Sequence, residues 1–325
     1  MQDIVKPLEV QSTWQGLLNQ YKNLVSQPPT SQGKEQIWLY RANTCTCLMS
    51  SLDKALGRTT RTSMLYPDLE RFLLREFQRR YHHYASSTPV AFDYLQWLAI
   101  MQHYGAPTRL LDWTYSFYVA AYFALNRSFD EVHHPNCNFT NTATGSREQT
   151  RPMSHILAVE VCEVRRRSNR KLLDTLPEGH EAKARLSKDL EINLLPAHND
   201  RESRNAFAEL VMKNHAAFVY PATPFHLNER LSAQQGTFLC AGSVGANFQD
   251  NLFACVGDQL PVPYKIVPLL FSDEEKRNAL NDLRRMNISQ TTLFPGLGGF
   301  SESLTNHWAL LDNSHTLETV PISFE

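Results

Sequence analysis

The sequence predicts an α+β fold, built on a mixed, mainly antiparallel sheet core with flanking helices. Helical patterns dominate the first third of the chain, whereas short strand-like runs dominate the second half. The two patterns do not alternate regularly, so a doubly wound parallel sheet is not expected. Apolar residues make up 42% of the 325 residues and charged residues 20%, the mixture of an ordinary globular protein.

The charge balance and the apolar runs exclude several classes of protein. There are 32 basic and 33 acidic residues, giving a formal net charge of −1. Bulk charge therefore does not hold the chain to nucleic acid or to a membrane, and only a local patch could do so. No apolar run approaches the ~18 residues of a spanning helix, and residues 1–30 lack the apolar core of a signal peptide. We expect a cytoplasmic, intracellular protein without membrane contacts.

The first part of the chain is predicted to be helical apart from one strand. Residues 1–33 form an N-terminal helical extension and linker, with a helix over 1–25 and a proline-rich linker to Gly33. Residues 37–41 have the bulk and length of a strand. Residues 67–84 repeat apolar side chains at helical spacing, with proline in the first turn.

Two further helices follow. The first begins after Asp93, a favourable N-cap residue, and runs to Gly105. The second covers residues 115–125 and is apolar almost all round, which is typical of a buried helix.

The second half is predicted from short patterns. A helix opens at Ser272 and runs to Met286. The domain-like body covers residues 34–300, and residues 301–325 form a C-terminal tail. The other predicted segments are a loop insertion (126–154), a charged helical segment (163–205) and strands at 155–162, 216–220, 236–240 and 265–271.

The stretch QHYGAPTRLLDWT, residues 102–114, has the highest density of polar side chains between two apolar helices. Gly105 and Pro107 turn the chain there. Buried polar groups need partners, so this density requires an explanation. A structural network, in which Arg109 pairs with Asp112 and His103 caps a helix end, explains it as well as an active site does.

The same stretch carries a family resemblance. Together with WLYR at 38–41 and AAYFAL at 120–125, it resembles the FRG domain. Two later segments also match that family, RLSAQQGTF at 230–238 and TLFPGL at 292–297, so the resemblance covers about residues 35–300. The aromatic-Arg-Gly signature of the family reads Tyr40-Arg41-Ala42 here. Alanine restricts the backbone beside Arg41 more than glycine would.

The order of the FRG motifs is similar to that of ADP-ribosyltransferases of the arginine–serine–glutamate type. This more remote similarity implies an ADP-ribosyltransferase-like fold and NAD as co-substrate, with no metal. It implies that Arg41 holds the diphosphate by its planar fork, that Thr114 bonds the nicotinamide ribose, and that Gln234 orients a ribose hydroxyl. Tyr104 or Trp113 would stack on the nicotinamide ring.

Two further side chains are candidates for the chemistry. Asp112 is the nearby acid that could stabilise a developing positive charge, since Gln234 carries only a dipole. His103 could take a proton from the acceptor near neutral pH. The remaining members of the expected cofactor site are Gly105, Thr108 and Arg109.

Each main candidate also has a structural alternative. Arg41 could pair with an acid of the helix at 67–84. Thr114 could serve as the N-cap of the following helix. Gln234 could close a turn before Gly236, and Trp113 could belong to the core.

The densest basic cluster is Arg165-Arg166-Arg167 with Arg170 and Lys171. It could steer a nucleic-acid acceptor, helped by the arginines of the helix at 67–84, or it could be a solvated helix face among acids.

The predicted function is NAD-dependent ADP-ribosyl transfer to a macromolecular acceptor, nucleic acid or protein, as in toxins and defence effectors. The alternative is a non-catalytic FRG-type module that binds nucleic acid or a protein partner.

Overall fold

A single antiparallel sheet organises the part of the chain that the computed structural model describes, which is residues 7–26, 36–44, 47–57, 66–126, 154–179, 183, 207–213, 215–257 and 263–310. Within these ranges six strands pair in the order β4-β5-β2-β1-β3-β6, each antiparallel to its neighbours. The strands are β1 (Trp38–Asn43), β2 (Leu110–Thr114), β3 (Ser154–Glu160), β4 (Val219–Ala222), β5 (Gly236–Ala241) and β6 (Tyr264–Leu269). The predicted mixed architecture with an antiparallel sheet is confirmed.

Helices cover both faces of this sheet. They are α1 (Trp14–Val25), α2 (Ser51–Leu56), α3 (Tyr66–Tyr81), α4 (Tyr94–His103), α5 (Phe117–Leu125), α6 (Val161–Thr175), α7 (Glu229–Ala233), α8 (Phe248–Val256), α9 (Asp273–Arg285), α10 (Gln290–Leu293) and α11 (Leu297–Leu310), with a π-helical turn at Ala208–Met212. Helices α1, α5 and α9 pack on the face of β1 that carries Trp38 and Tyr40. Helices α4, α6 and α8 contribute to a second core around Leu111 and Trp113. None of the helices in the described ranges combines the length and the apolar character needed to cross a bilayer.

Local capping explains the helix starts that the sequence predicts correctly. The Asp93 carboxylate accepts a hydrogen bond from the Gln96 amide at 3.2 Å, and the Ser272 hydroxyl accepts one from Glu275 at 3.2 Å. At the end of α4, Gly105 has a φ of +79°, a conformation that favours glycine and turns the chain toward β2. These signals act within four residues, so the sequence alone shows them.

Two helix starts and one strand differ from the sequence prediction. Helix α1 begins at Trp14 and not near residue 1, because the backbone before it lies along β6, where the Leu8 amide donates to Ile266 O at 2.8 Å. Helix α5 begins at Phe117, because Ser116 and not Thr114 caps it. Residues 110–114, which the residue pattern leaves as a tight segment between helices, form the central strand β2.

Several predicted segments fall wholly or largely outside the described residues. They are the linker before residue 36, most of the insertion at 126–154, the charged segment beyond residue 179 except for residue 183, and the tail beyond residue 310. The beginning of the charged segment is helical, as predicted, and forms most of α6.

The sheet is nearly divided between β1 and β2. These strands share one residue pair, Tyr40 with Thr114, whereas β1 shares six pairs with β3 and β2 shares five with β5. Beyond the Tyr40–Thr114 pair, residues 41–43 of β1 face residues 111–113 of β2 without pairing. We call this unpaired stretch the strand gap. It separates the half-sheet β4-β5-β2 from the half-sheet β1-β3-β6.

Candidate functional site

Arg41 bridges the strand gap. It lies on β1 directly after the single pair that joins the half-sheets, and its Nη1 donates to the main-chain oxygen of Asp112 at 2.6 Å. A guanidinium thus connects the strands where backbone pairing has stopped. Because Asp112 stands on β2, this contact brings the early arginine of the sequence to the central motif.

A small polar cavity lies beside the strand gap and is lined by the side chain of Asp112. It has a volume of about 80 Å³ and is lined by Gln102 and His103 at the end of α4 and by Arg230 and Gln234 from α7 and its end, among others. Gln102 Nε2 donates to Asp112 Oδ2 at 2.9 Å. We call this space the polar cavity.

The amide of Gln102 is oriented from behind. Its Oε1 accepts from the hydroxyl of Thr108 at 2.6 Å, which leaves its NH₂ group for the Asp112 carboxylate. Thr108 is fully buried, and its main-chain amide donates to the Ser51 hydroxyl at 2.9 Å. This chain of contacts holds the acid of the polar cavity in a fixed position. Thr108 therefore acts through Gln102 and is not exposed to a ligand.

His103 brings a titratable ring to the polar cavity. Partial burial lowers its pKa below 6.5, and the positive charge of Arg230 lowers it further. The imidazole is therefore neutral near pH 7 and has a nitrogen free to accept a proton. The guanidinium of Arg230 is held against the ring of Phe294, 4.7 Å from its centroid.

Thr114 fixes the main chain of Gln234. The Thr114 hydroxyl donates to Gln234 O at 2.6 Å and accepts from the Ser116 amide at 3.0 Å. Gln234 is the C-cap residue of α7, and its side-chain amide donates to Leu293 O at 3.0 Å. The next residue, Gln235, has a φ of +47°, so the chain turns sharply into β5.

Arg109 does not lie in this site. It is 3% exposed, and Glu70 of α3 accepts from its Nε at 2.6 Å and from its Nη2. Its Nη1 donates to Ala241 O at 3.1 Å and to Gly242 O at 3.0 Å. All three nitrogens are thus used by protein groups, and we leave Arg109 out of the cofactor site. The structural alternative holds here, with Glu70 as the partner and not Asp112.

Three other residues expected at the cofactor also lie elsewhere. Trp113 is 3% exposed and belongs to the core, and no described residue receives a hydrogen bond from its Nε1. Gly105 is exposed and serves the turn after α4. Tyr104 is 71% exposed and lines a separate, larger cavity against α3.

Comparison with known proteins gives one match. Residues 36–132 match the family model of the FRG domain. These residues are therefore similar to the FRG domain. No curated protein and no solved structure matches the chain.

The FRG domain match is shorter than the resemblance predicted. It includes β1, α4, β2 and α5, and with them Arg41, His103, Asp112 and Thr114. It ends before α7, so the Arg230 and Gln234 segment lies outside the matched residues. The structure nonetheless brings that segment to the FRG domain motif, at the polar cavity.

The first three arginines of the predicted basic cluster are not free on the surface. Arg165 and Arg167 on α6 are 3% and 8% exposed. Arg166 and Arg167 both pair with Glu163, and Arg167 also donates to Val256 O. These arginines are held in the protein by α6 packing against the sheet, so they do not form a surface for a nucleic-acid acceptor.

Sequence reasoning missed three residues around the FRG domain motif: Glu70, Gln102 and Arg230. One signal existed for Glu70, because it shares a helix face with Leu74 and Phe77, at positions that the apolar pattern of α3 turns toward the core. An acid on such a face predicts a buried cation as partner. No three His, Cys, Asp or Glu side chains among the described residues are grouped so that they could hold a metal ion.

Proposed function

We propose that this chain is an NAD-dependent ADP-ribosyltransferase that uses the strand gap and the polar cavity. One observation carries the proposal. The three segments that the resemblance assigns to NAD are hydrogen-bonded in series, Arg41 to Asp112 O and Thr114 to Gln234 O, each at 2.6 Å. Residues that are 193 positions apart in sequence (41 and 234) thus meet around β2, the strand between β1 and β5.

Donor binding requires the gap to widen. Ligand pockets usually enclose roughly 300–1,000 Å³, and the polar cavity holds about 80 Å³. In the proposed complex Arg41 leaves Asp112 O and bonds two oxygens of the diphosphate. A single residue pair joins the half-sheets here, so widening disrupts little backbone pairing.

The proposed reaction balances without a metal or an oxidant. The bond between the nicotinamide nitrogen and C1′ of the ribose breaks, and its electron pair stays on the nitrogen and neutralises the pyridinium. A heteroatom of the acceptor bonds to C1′ and gives up a proton. The sugar passes through an oxocarbenium-like state, as in other glycosidic cleavages. No general acid is needed, because the leaving group is cationic from the start.

The residues of the polar cavity have matching roles in this proposal. The Asp112 carboxylate, held by Gln102, stabilises the positive charge that develops on the sugar. Neutral His103 takes the proton of the acceptor. Thr114 is a positioning residue, because its hydroxyl fixes the Gln234 segment and has no hydrogen left for a ribose.

We expect Arg41→Ala to lower kcat/KM for nicotinamide release from NAD by about 100-fold or more. Loss of one preorganised hydrogen-bond donor has an effect of this size in other enzymes. Arg41→Lys should fall between wild type and Arg41→Ala, since it keeps the charge but loses the planar fork. The measurement is release of nicotinamide from labelled NAD. Arg285→Ala, which removes an exposed arginine of α9, is the control. Equal turnover in wild type and Arg41→Ala would remove Arg41 from the site.

The pH profile tests His103. Turnover should fall as the pH falls through the His103 pKa, which lies below 6.5, because the protonated ring cannot accept a proton. Arg230→Gln removes a positive charge that keeps this pKa low, so the acid limb should move to higher pH. Arg230→Lys keeps that charge and should leave the limb in place. An acid limb that stays unchanged in His103→Gln would exclude His103 as the group that titrates.

A second candidate function is a binding module without catalysis, and the small volume of the polar cavity favours it. The two functions differ in their response to NAD. A ligand at 100 times its Kd adds about 2.7 kcal/mol to stability, so NAD should raise the Tm of a transferase. An unchanged Tm at millimolar NAD, together with no nicotinamide release, would favour the binding module.

A further inference from the structure

A second cavity lies between α3 and the turn that follows α4. Its volume is about 550 Å³, which is within the usual range for a bound small molecule or a side group. Its apolar part includes Leu73, Phe77, Met101 and Pro107, and three tyrosines also line it, Tyr81, Tyr84 and Tyr104. We call it the aromatic cavity.

Two of these tyrosines are exposed to an unusual degree. Tyr84 is 86% exposed and Tyr104 is 71% exposed, although large aromatic side chains generally bury most of their surface. Backbone hydrogen bonds hold the main chain of both tyrosines in place. The Tyr84 amide donates to Tyr81 O at 2.9 Å, and the Tyr104 amide donates to Ile100 O at 3.1 Å. Two planar, apolar faces therefore stand in solvent at the edge of an apolar cavity.

The surface beside the cavity is positively charged. Helix α3 exposes four arginines, Arg71, Arg75, Arg79 and Arg80. Arg80 lines the cavity together with Glu76, which pairs with Arg79 and Arg80. Of the three acids of the helix, Glu70 is buried against Arg109, which leaves Asp68 and Glu76 to balance the four cations. The outer face of α3 thus carries a net charge of 4 − 2 = +2. The ion pairs on this face are solvent-exposed on the arginine side, so a competing anion can replace them.

We propose that the aromatic cavity holds an unpaired base of a single-stranded nucleic acid, while the arginines of α3 contact its phosphates. Aromatic rings that stack on bases beside a cationic track are the usual means of binding single strands. A peptide would use the apolar floor equally well, but it would not explain the excess of arginine. The transfer step to such an acceptor rests on the proposed function; the binding does not.

The position of the cavity suits an acceptor. His103 lines the polar cavity and the next residue, Tyr104, lines the aromatic cavity. A strand whose base sits in the aromatic cavity therefore has its neighbouring nucleotides close to His103. The proposed acceptor is therefore single-stranded DNA or RNA.

The test is fluorescence anisotropy of the full chain with a labelled 12-nucleotide single strand of mixed sequence, as DNA and as RNA, without NAD. We expect binding that weakens with salt, with a slope of about −0.7 in log K against log salt for each phosphate contacted. Tyr84→Ala should weaken binding about tenfold, the usual effect of losing one stacked base. Tyr84→Phe keeps the ring and should bind as wild type does. The double variant Arg75→Gln, Arg80→Gln should make the salt slope shallower by about 1.4.

Matched controls use the same residue types elsewhere on the surface. Phe300→Ala removes a 52% exposed aromatic ring on α11, and Arg285→Gln removes an exposed arginine that pairs three residues back, as Arg79 does. Neither should change binding. Absence of binding, or binding indifferent to Tyr84 and to the α3 arginines, would overturn the proposal. Displacement of the strand by NAD alone would also overturn it, because the cavity would then belong to the donor.

Nicotinamide release without oligonucleotide separates the two proposals. A chain that binds single strands through Tyr84 but does not cleave NAD would contradict the proposed function and leave the binding site standing. A chain that cleaves NAD but binds no single strand would do the reverse.

Discussion

Glu70→Ala is expected to lower the free energy of unfolding by about 3–5 kcal/mol, the usual cost of removing one partner of a buried ion pair. Arg109 is 3% exposed, and the Glu70 side chain is 4% exposed. Without the carboxylate the guanidinium stays buried and charged, with main-chain oxygens of Val211, Ala241 and Gly242 as its remaining acceptors. Urea unfolding followed by circular dichroism measures the change.

Two variants make this prediction specific. Asp68→Asn removes an exposed acid from the same helix, whose partner Arg71 is also exposed, and should cost less than about 1 kcal/mol. The double variant Glu70→Leu, Arg109→Met replaces the pair by apolar groups and should recover much of the loss, because a buried ion pair contributes little net stability over a packed apolar pair. A loss below about 1 kcal/mol for Glu70→Ala would contradict a buried pair.

The second large effect is a loss of stability in mild acid that depends on His155. This residue lies on β3 between β1 and β6 and is 3% exposed, and burial lowers its pKa to about 4. In the unfolded chain the pKa is about 6.5. Between these values the unfolded state binds more protons, so stability falls as the pH falls from about 6.5 to about 4 and then levels. The loss from this group is about 3 kcal/mol.

Chemical unfolding of His155→Gln at a series of pH values measures this contribution. Between about pH 6.5 and pH 4 the unfolding free energy of the variant should fall less steeply with pH than that of wild type. The two slopes should differ by up to about 1.4 kcal/mol per pH unit, which corresponds to one proton. His83→Gln, which removes an exposed histidine, is the control. Equal slopes in wild type and His155→Gln would show that His155 does not resist protonation in the folded protein.

How far the sequence could predict this molecule depends on the range over which each signal acts. The caps at Asp93 and Ser272 and the strand at Gly236–Ala241 are set by neighbouring residues, and the sequence alone predicts them. Thr114 and Ser116 are both favourable caps two residues apart. Only the pairing of Thr114 with Gln234, 120 residues away, decides between them. The same limit applies to Arg109, whose partner Glu70 is 39 residues away and whose sequence neighbour Asp112 is a false candidate.

The basic run on α6 shows a different limit. Arg165, Ser168, Asn169 and Leu172 recur at helical spacing and are all buried, and half of the eight buried residues of this helix are polar. A pattern that recognises buried faces by their apolar side chains assigns such a face to solvent. For the candidate site, the family resemblance predicts one site that includes Arg41, His103, Asp112 and Gln234. It could not show that β2 lies between β1 and β5, because strand order is decided by contacts between distant segments.

The single pair of Tyr40 with Thr114 makes the middle of the sheet its most compliant place. Elsewhere a ladder of several residue pairs stiffens neighbouring strands, but here the two half-sheets share one backbone pair and the contact of the Arg41 side chain with Asp112 O. Side chains reinforce that link from both ends, since Tyr40 packs edge-on against Phe117 and Thr114 ties the Gln234 turn. A small change in either side chain would therefore alter how far the two half-sheets spread.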